Sequence, residues 1–235
     1  MSLHASNSPR AQPAGEPSRV GAGKLVAQLS FVIVAALFVY GFVSVTKEGE
    51  ARRVCSAPCF LTPDYLAADR RAPDFSLKDL SGATVTLESF RDKVVLLNFW
   101  TKTCGPCLEE MPELAELTKI LRNKMPDVAV VTITVDEGPA DVLPTLQTVL
   151  REPPPFQVLF DPDSEVIGAK YGTHLFPETW IIDKRGVIRA RFDGSKDWTN
   201  PLVVDFLDSL SRGDFCDVKI DGKSKGGICE SMTGS

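Results

Sequence analysis

The stretch Val94–Lys124 constrains the fold most. VVLLNFWT (Val94–Thr101) is a short, uninterrupted apolar run, the pattern of a strand buried on both faces. Cys104-Gly105-Pro106-Cys107 follows at once. Leu108, Met111, Leu114, Leu117 and Leu121 then recur at spacings of three and four, which is one face of a helix. The order is therefore buried strand, short loop, cysteine pair, helix. It places Cys104 at the start of the helix, where unpaired N–H groups and the positive end of the helix dipole favour thiolate over thiol. Cys107 lies one turn on, within disulfide reach. A thiolate at Cys104 attacks a disulfide, a mixed disulfide forms, and Cys107 resolves it. A zinc site would need a second ligand pair, and the chain holds only His4 and His174 as histidines. A structural disulfide has no need of the helix start. Redox chemistry is the expectation.

The rest of the chain alternates in the same manner. PDFSLKDLSGATVTLESF reads as a β-hairpin turning at Ser81-Gly82, and VAVVTITV (Val128–Val135) as a second buried strand. Ala140–Leu150 and Ser164–Gly172 read as helices, and PPPFQVLFD as an extended entry to a short strand. ETWIID and GVIRARFD form a hairpin around Lys184-Arg185, and Pro201–Ser211 closes the domain as an amphipathic helix. Such alternation implies an α/β sandwich with a mixed sheet.

A second feature sets the compartment. Leu25–Thr46 carries no charge and is bracketed by Lys24 and Lys47. At ~1.5 Å per residue it spans the ~30 Å hydrocarbon core. A cleaved signal peptide is the rival reading. The length of the run, the polar residues before Lys24 and the lack of a small-residue cleavage site favour an uncleaved signal anchor. Arg10, Arg19 and Lys24 precede the run, and Lys47, Arg52 and Arg53 follow it, so the positive-inside count does not orient it. The net charge of −5 gives no basic footprint for nucleic acid. The expected organisation is a disordered tail at 1–23, a transmembrane signal anchor at 24–46 and a juxtamembrane linker at 47–71 with Cys55 and Cys59. The redox domain follows at 72–211, and a C-terminal extension at 212–235 holds Cys216 and Cys229.

The stretches APDFSLKDLSG, VVLLNFWT, CGPCLEEMPEL, FPETWIID and GVIRARFDG together resemble the thioredoxin superfamily. More narrowly they resemble its membrane-anchored TlpA/ResA/DsbE-like thiol–disulfide oxidoreductases. The resemblance covers about Ala72–Ser211. It implies a thioredoxin-like α/β fold with an N-terminal β-hairpin and a central insertion near Pro139–Asp161, preceded by one transmembrane helix. It implies Cys104 and Cys107 as the redox-active disulfide and Glu110 as a catalytic carboxylate close to it. Asn98 stands where thioredoxins carry a titrating aspartate. Glu109 reads as a solvated first-turn acid. The resemblance also implies a cis Phe176–Pro177 bond, although only about 5–6% of X–Pro bonds are cis. Trp100, Thr103, Phe176 and Pro177 would bind substrate. Thr103 departs from the tryptophan common before the first cysteine. Gly105-Pro106 matches thioredoxin, whose potential is about −270 mV, and points to a reducing site.

The family's habit implies an inner-membrane protein with its domain in the periplasm. It would reduce disulfides of envelope proteins such as apocytochrome c and take electrons from a membrane-bound donor of the DsbD/CcdA type. No cofactor or metal is expected. Cys55, Cys59, Cys216 and Cys229 then form structural disulfides. Local pairing is expected, Cys55 with Cys59 and Cys216 with Cys229 across a VKIDGKSKGGI hairpin; an accessory redox or copper role for CSAPC is the sharper alternative. Two rival functions remain. A peroxiredoxin-like peroxidase fits the Thr101–Cys104 spacing but lacks its upstream proline, Leu97 standing there. A copper chaperone would enlist His174.

Overall fold

The computed structural model describes residues 21–61, 70–214 and 216. Two compact units divide between Lys47 and Glu48. The first holds the apolar part of helix α1 (Ala22–Leu61). Its side chains from Leu25 to Thr46 are exposed, and the helix is long and apolar enough to cross a membrane. The helix does not stop where the apolar run stops. Lys47–Arg53 is rich in helix formers, and Arg52 bonds Glu48 one turn back at 3.0 Å. The expected linker is thus helical up to Leu61, and α1 takes in both Cys55 and Cys59.

The second unit is built on a seven-stranded sheet of order β2-β1-β5-β4-β3-β6-β7. Its strands are β1 (Ser76–Asp79), β2 (Thr84–Thr86), β3 (Val94–Trp100), β4 (Val128–Thr134), β5 (Gln157–Phe160), β6 (Glu178–Ile182) and β7 (Ile188–Asp193). Strands β3, β4 and β5 run parallel; β6, β7 and the β1–β2 hairpin are antiparallel to their neighbours. The mixed sheet and N-terminal hairpin are those of a thioredoxin-like fold. The stretch expected as a central insertion supplies α3 (Pro139–Leu150) and β5, which joins the hairpin to β4.

Strand β3 is central and buried along its whole length, which explains its uninterrupted apolar run. Alternation sorts its side chains. Val94, Leu96 and Trp100 enter the core shared with α2 (Gly105–Lys124), α3 and α4 (Pro201–Ser211). Val95, Leu97 and Phe99 face the opposite core with Val166, Ile167 and Tyr171. Those last three belong to a π-helical turn, Glu165–Tyr171, whose first amides donate to Asp161 and which Gly172 ends at φ 77°. Each fully buried Leu or Val here contributes about 1.5–3 kcal/mol. Ala57, near the end of α1, belongs to the first core, so that end of the helix is part of the domain.

The β6–β7 hairpin turns at Asp183–Gly186. Asp183 accepts from the amides of Arg185 and Val187 and from Arg189 Nε at 2.8 Å, and Gly186 takes the positive φ (75°) that closes the turn.

The pairing of the outer cysteines corrects the local expectation. Cys55 is bonded to Cys216, 161 residues away, and not to Cys59. Burial explains it: Cys55 and Cys59 sit on the inner side of a helix end that packs into the domain, beside the chain leaving α4. Cys59 is itself disulfide-bonded. Cys229 and the expected hairpin before it lie outside the described residues.

Candidate active site

The loop between β3 and α2 is fixed before it reaches the cysteines. Asp136, just past β4, accepts the Thr101 hydroxyl at 3.1 Å and the Lys102 amide at 2.8 Å, and Thr134 donates to it as well. Lys102 Nζ pairs with Asp141 at 2.7 Å. The Cys104 amide then donates to Thr101 O at 3.1 Å. Nothing in the apolar pattern marked Asp136; its signal was an acid at the carboxyl end of a parallel strand, where ligand-facing loops gather.

Cys104 is the residue that caps α2. Its Sγ accepts the Cys107 amide at 3.2 Å, and its carbonyl accepts the first helical bond, from Leu108. The two sulfurs are joined, with the Cα atoms 5.3 Å apart. Cys104 is partly exposed, whereas Cys107 is wholly buried. This asymmetry lets an incoming sulfur reach one cysteine and hides the other. The amide that holds Cys104 Sγ in the disulfide is equally placed to stabilise a thiolate there.

Glu110, one turn beyond Cys107, is 1% exposed. Its Oε1 accepts Asn98 Nδ2 at 2.8 Å and its Oε2 accepts Trp198 Nε1 at 2.9 Å. Burial pushes its carboxyl above the ordinary range, against the opposing hydrogen bonds from Trp198 and Asn98; the charge on Glu113 pushes the same way as burial. Glu109 is exposed. The helical phase separates these neighbours, because Glu110 shares the inner face with Cys107 and Leu114.

The Phe176–Pro177 bond is cis. Asn98 pairs with Thr179 and Phe99 with Glu178 across β3 and β6. The chain that carries Pro177 thus enters β6 next to the end of β3, and Phe176 packs against the same core as Cys104. Phe176 is partly exposed and Pro177 is buried, while His174 and Leu175 in the same loop are exposed, Leu175 by 83%. The Thr173 hydroxyl and Trp180 Nε1 both donate to Glu178, closing the loop at its base; burial raises the Glu178 carboxyl above its usual value. Thr103 is exposed next to Cys104.

Trp100 is a correction. It is fully buried, on the side of β3 that faces α2, in the same core as Cys107 and Met111. It floors the site and offers no surface to a substrate. Strand parity decides this: Trp100 shares a face with Leu96 and Asn98. Trp198 and Leu175 went unread in the sequence. Trp198 carried only a weak signal, a tryptophan just ahead of a helix-capping Asn-Pro pair.

A sequence profile of the AhpC/TSA family matches residues 68–191, just over half of the chain. Thioredoxin-like protein YneN of Bacillus subtilis is 38% identical over 120 residues, 51% of this chain and 68% of that protein. Thiol-disulfide oxidoreductase ResA of Geobacillus thermodenitrificans is 34% identical over 151 residues, 64% of this chain and 82% of that one. A crystal structure described as a thiol:disulfide interchange protein DsbE from Chlorobium tepidum superposes with a TM-score of 0.53 at 28% identity, covering 62% of this chain and 99% of that one.

Proposed function

We propose a task for this chain, which belongs to the AhpC/TSA family and is a thiol–disulfide oxidoreductase of the thioredoxin superfamily. Anchored in the bacterial inner membrane by residues 25–46, it reduces disulfides of proteins on the extracytoplasmic side, apocytochrome c among them. It is recharged by a membrane-bound dithiol donor of the DsbD/CcdA type. The observation that carries this reading is the Cys104–Cys107 disulfide at a helix start, one sulfur accessible and one buried, with a buried carboxyl one turn on. The compartment is supported by the Cys55–Cys216 bond and the disulfide on Cys59, since such bonds persist in oxidising spaces. The apolar helix supports the anchor.

The chemistry runs from the reduced pair. The Cys104 thiolate attacks one sulfur of the substrate disulfide, and the first substrate thiolate leaves and takes up a proton. Cys107 gives its proton to Glu110 and attacks Cys104 Sγ, expelling the second substrate thiolate. Two electrons have passed to the substrate, and the Cys104–Cys107 bond described above is the product state. A donor dithiol reverses these steps on the enzyme.

Thr101 separates this reading from a peroxidase. A peroxidatic site needs that hydroxyl free to meet the peroxide, and here it donates to Asp136. The test is trapping. A Cys107→Ala full chain expressed in a bacterial envelope should retain its target as a mixed disulfide on Cys104, identified by mass spectrometry. An empty Cys104, or rapid consumption of hydrogen peroxide by an enzyme that leaves insulin disulfides intact, would overturn the proposal.

A further inference from the structure

The loop between β7 and α4 folds over the carboxyl end of the redox site. Trp198, in that loop, is 1% exposed. Its indole Nε1 donates to Glu110 Oε2 at 2.9 Å, and the Lys196 amide reaches the same oxygen at 3.4 Å. The backbone amide of Trp198 donates to Glu113 Oε2 at 3.0 Å, so the loop grips two successive carboxylates of α2. The ring itself is held edge-on against Phe192, with centroids 5.9 Å apart. With Asn98 on the other oxygen, both oxygens of Glu110 meet N–H donors in a buried setting.

We propose that Trp198 is a positioning residue for the redox reaction: its indole N–H holds the Glu110 carboxyl on the Cys107 side of α2 and keeps it able to release and take up a proton during turnover. The inference rests on the role given to Glu110 above and adds the group that controls it. A buried carboxyl without donors stays protonated and has no vacancy for the proton of Cys107. An N–H aimed at the oxygen stabilises the anion and lowers the pH at which the carboxyl becomes a base. The other charged or titratable groups around Glu110 do not replace it. On its own helix they are Cys107 and Glu113, whose charge opposes ionisation. In the covering loop Lys196 contributes its backbone amide, and Asp197 is exposed and bonds Thr199. From the sheet come Asn98 and Thr179, both neutral.

The experiment is the pH profile of single-turnover oxidation of the reduced full chain by oxidised glutathione. It is run on the wild type, Trp198→Phe, Glu110→Gln and the double variant. Phenylalanine keeps an aromatic ring against Phe192 and removes the N–H together with part of the buried ring volume, which is why the Glu110→Gln background serves as the control. Trp198→Phe should move the inflection to higher pH by ~1 unit, the equivalent of one hydrogen bond to a charged acceptor. In the Glu110→Gln background the same substitution should add no shift. A Trp198→Phe profile that overlays the wild type, while Glu110→Gln changes it, overturns the proposal and leaves the Glu110 reading standing. A shift that persists without Glu110 also overturns it. A Glu110→Gln profile that overlays the wild type removes the Glu110 reading and this inference with it. Should Trp198→Phe fail to fold, the three tryptophan indole N–H signals of the native chain serve instead. One should titrate with the kinetic midpoint and become pH-independent in Glu110→Gln; if none does, the inference falls.

Discussion

Asn98 Nδ2 lies 2.8 Å from Glu110 Oε1 and 2.9 Å from Thr179 Oγ1. One amide of the central strand thus ties the redox helix to the strand that follows the cis peptide bond. Both of its N–H groups are used, and its own Oδ1 accepts nothing among the described residues. An orphaned buried acceptor costs about 1–3 kcal/mol, a penalty that sites tolerate where geometry matters more than stability. Because asparagine is neutral, Glu110 titrates beside it as a single carboxyl. An aspartate at 98 would form a coupled pair of acids at hydrogen-bond distance.

Glu110 therefore leaves a signature in stability. Burial, opposed by the Trp198 and Asn98 hydrogen bonds, holds its carboxyl above the ordinary value of 4.5. Between that value and the raised one, the folded chain keeps a proton that the unfolded chain has released. The stability contributed is full below the unfolded pKa and is lost as pH rises through the folded pKa. Glu110→Gln cannot ionise. With the Cys104–Cys107 pair oxidised, so that no thiol titrates, the melting temperature of the wild type relative to Glu110→Gln should fall from about pH 4 to about pH 8. A difference that stays flat across this range would count against a buried, ionising Glu110.

Asp136 is expected to matter for rate as well as for stability. It accepts from Thr101, from the Lys102 amide and from Thr134, immediately upstream of Cys104. Asp136→Ala leaves those donors without their acceptor and should cost about 1–3 kcal/mol in urea unfolding. Looser placement of Cys104 should slow single-turnover reduction of a disulfide by about tenfold or more. Asp136→Asn keeps one oxygen acceptor and should fall between. Stopped-flow rates equal to wild type in Asp136→Ala would show that the clamp is not needed for catalysis.

Leu175 offers a test of how substrate docks. It is 83% exposed in the loop that carries Phe176 and Pro177, where a docked protein substrate would cover it. Leu175→Ser should raise KM for a protein disulfide by about five- to tenfold, the effect of ~1 kcal/mol of lost apolar contact. Reduction of a small soluble disulfide, too short to reach the loop, should be unchanged. Equal losses on both substrates would point to a damaged site instead of a lost contact.

Much of this was legible in the residues, and the pattern of what was not is physical. β3 announced itself because a strand buried on both faces has no polar positions to interrupt it. Glu110 was singled out by the resemblance alone, and the structure supplies the reason it differs from Glu109: a single residue step turns a helix by about 100°, which puts Glu110 inside and Glu109 in solvent. Hairpins carried their turn residues at Ser81-Gly82 and Lys184-Arg185-Gly186. What failed involved partners far apart in sequence. Trp198 meets a carboxylate on a helix that ends before β4, and Asp136, just past β4, reaches sideways to the loop that follows the neighbouring β3. The Cys55–Cys216 bond spans 161 residues, whereas reasoning from adjacency favoured Cys59. Trp100 failed for a different reason: the resemblance implied a substrate surface there, but strand parity turns its ring into the core.

The long-range disulfide should carry stability without carrying catalysis. Cys55 and Cys59 are buried, Ala57 between them sits in the main core, and Cys216 closes a span of 161 residues onto that helix end. Cross-linking so distant a pair restricts the unfolded chain, and loss of such a bond costs about 2–4 kcal/mol. The double variant Cys55→Ser, Cys216→Ser should therefore unfold at lower denaturant under non-reducing conditions. Among the described residues no hydrogen bond links Cys55 or Cys216 to Cys104, Cys107 or Glu110, so the single-turnover rate of the folded fraction should match wild type. If that rate falls while the fold is intact, the bond takes part in electron transfer. If neither stability nor rate changes, the packing around Ala57 alone fixes the helix end.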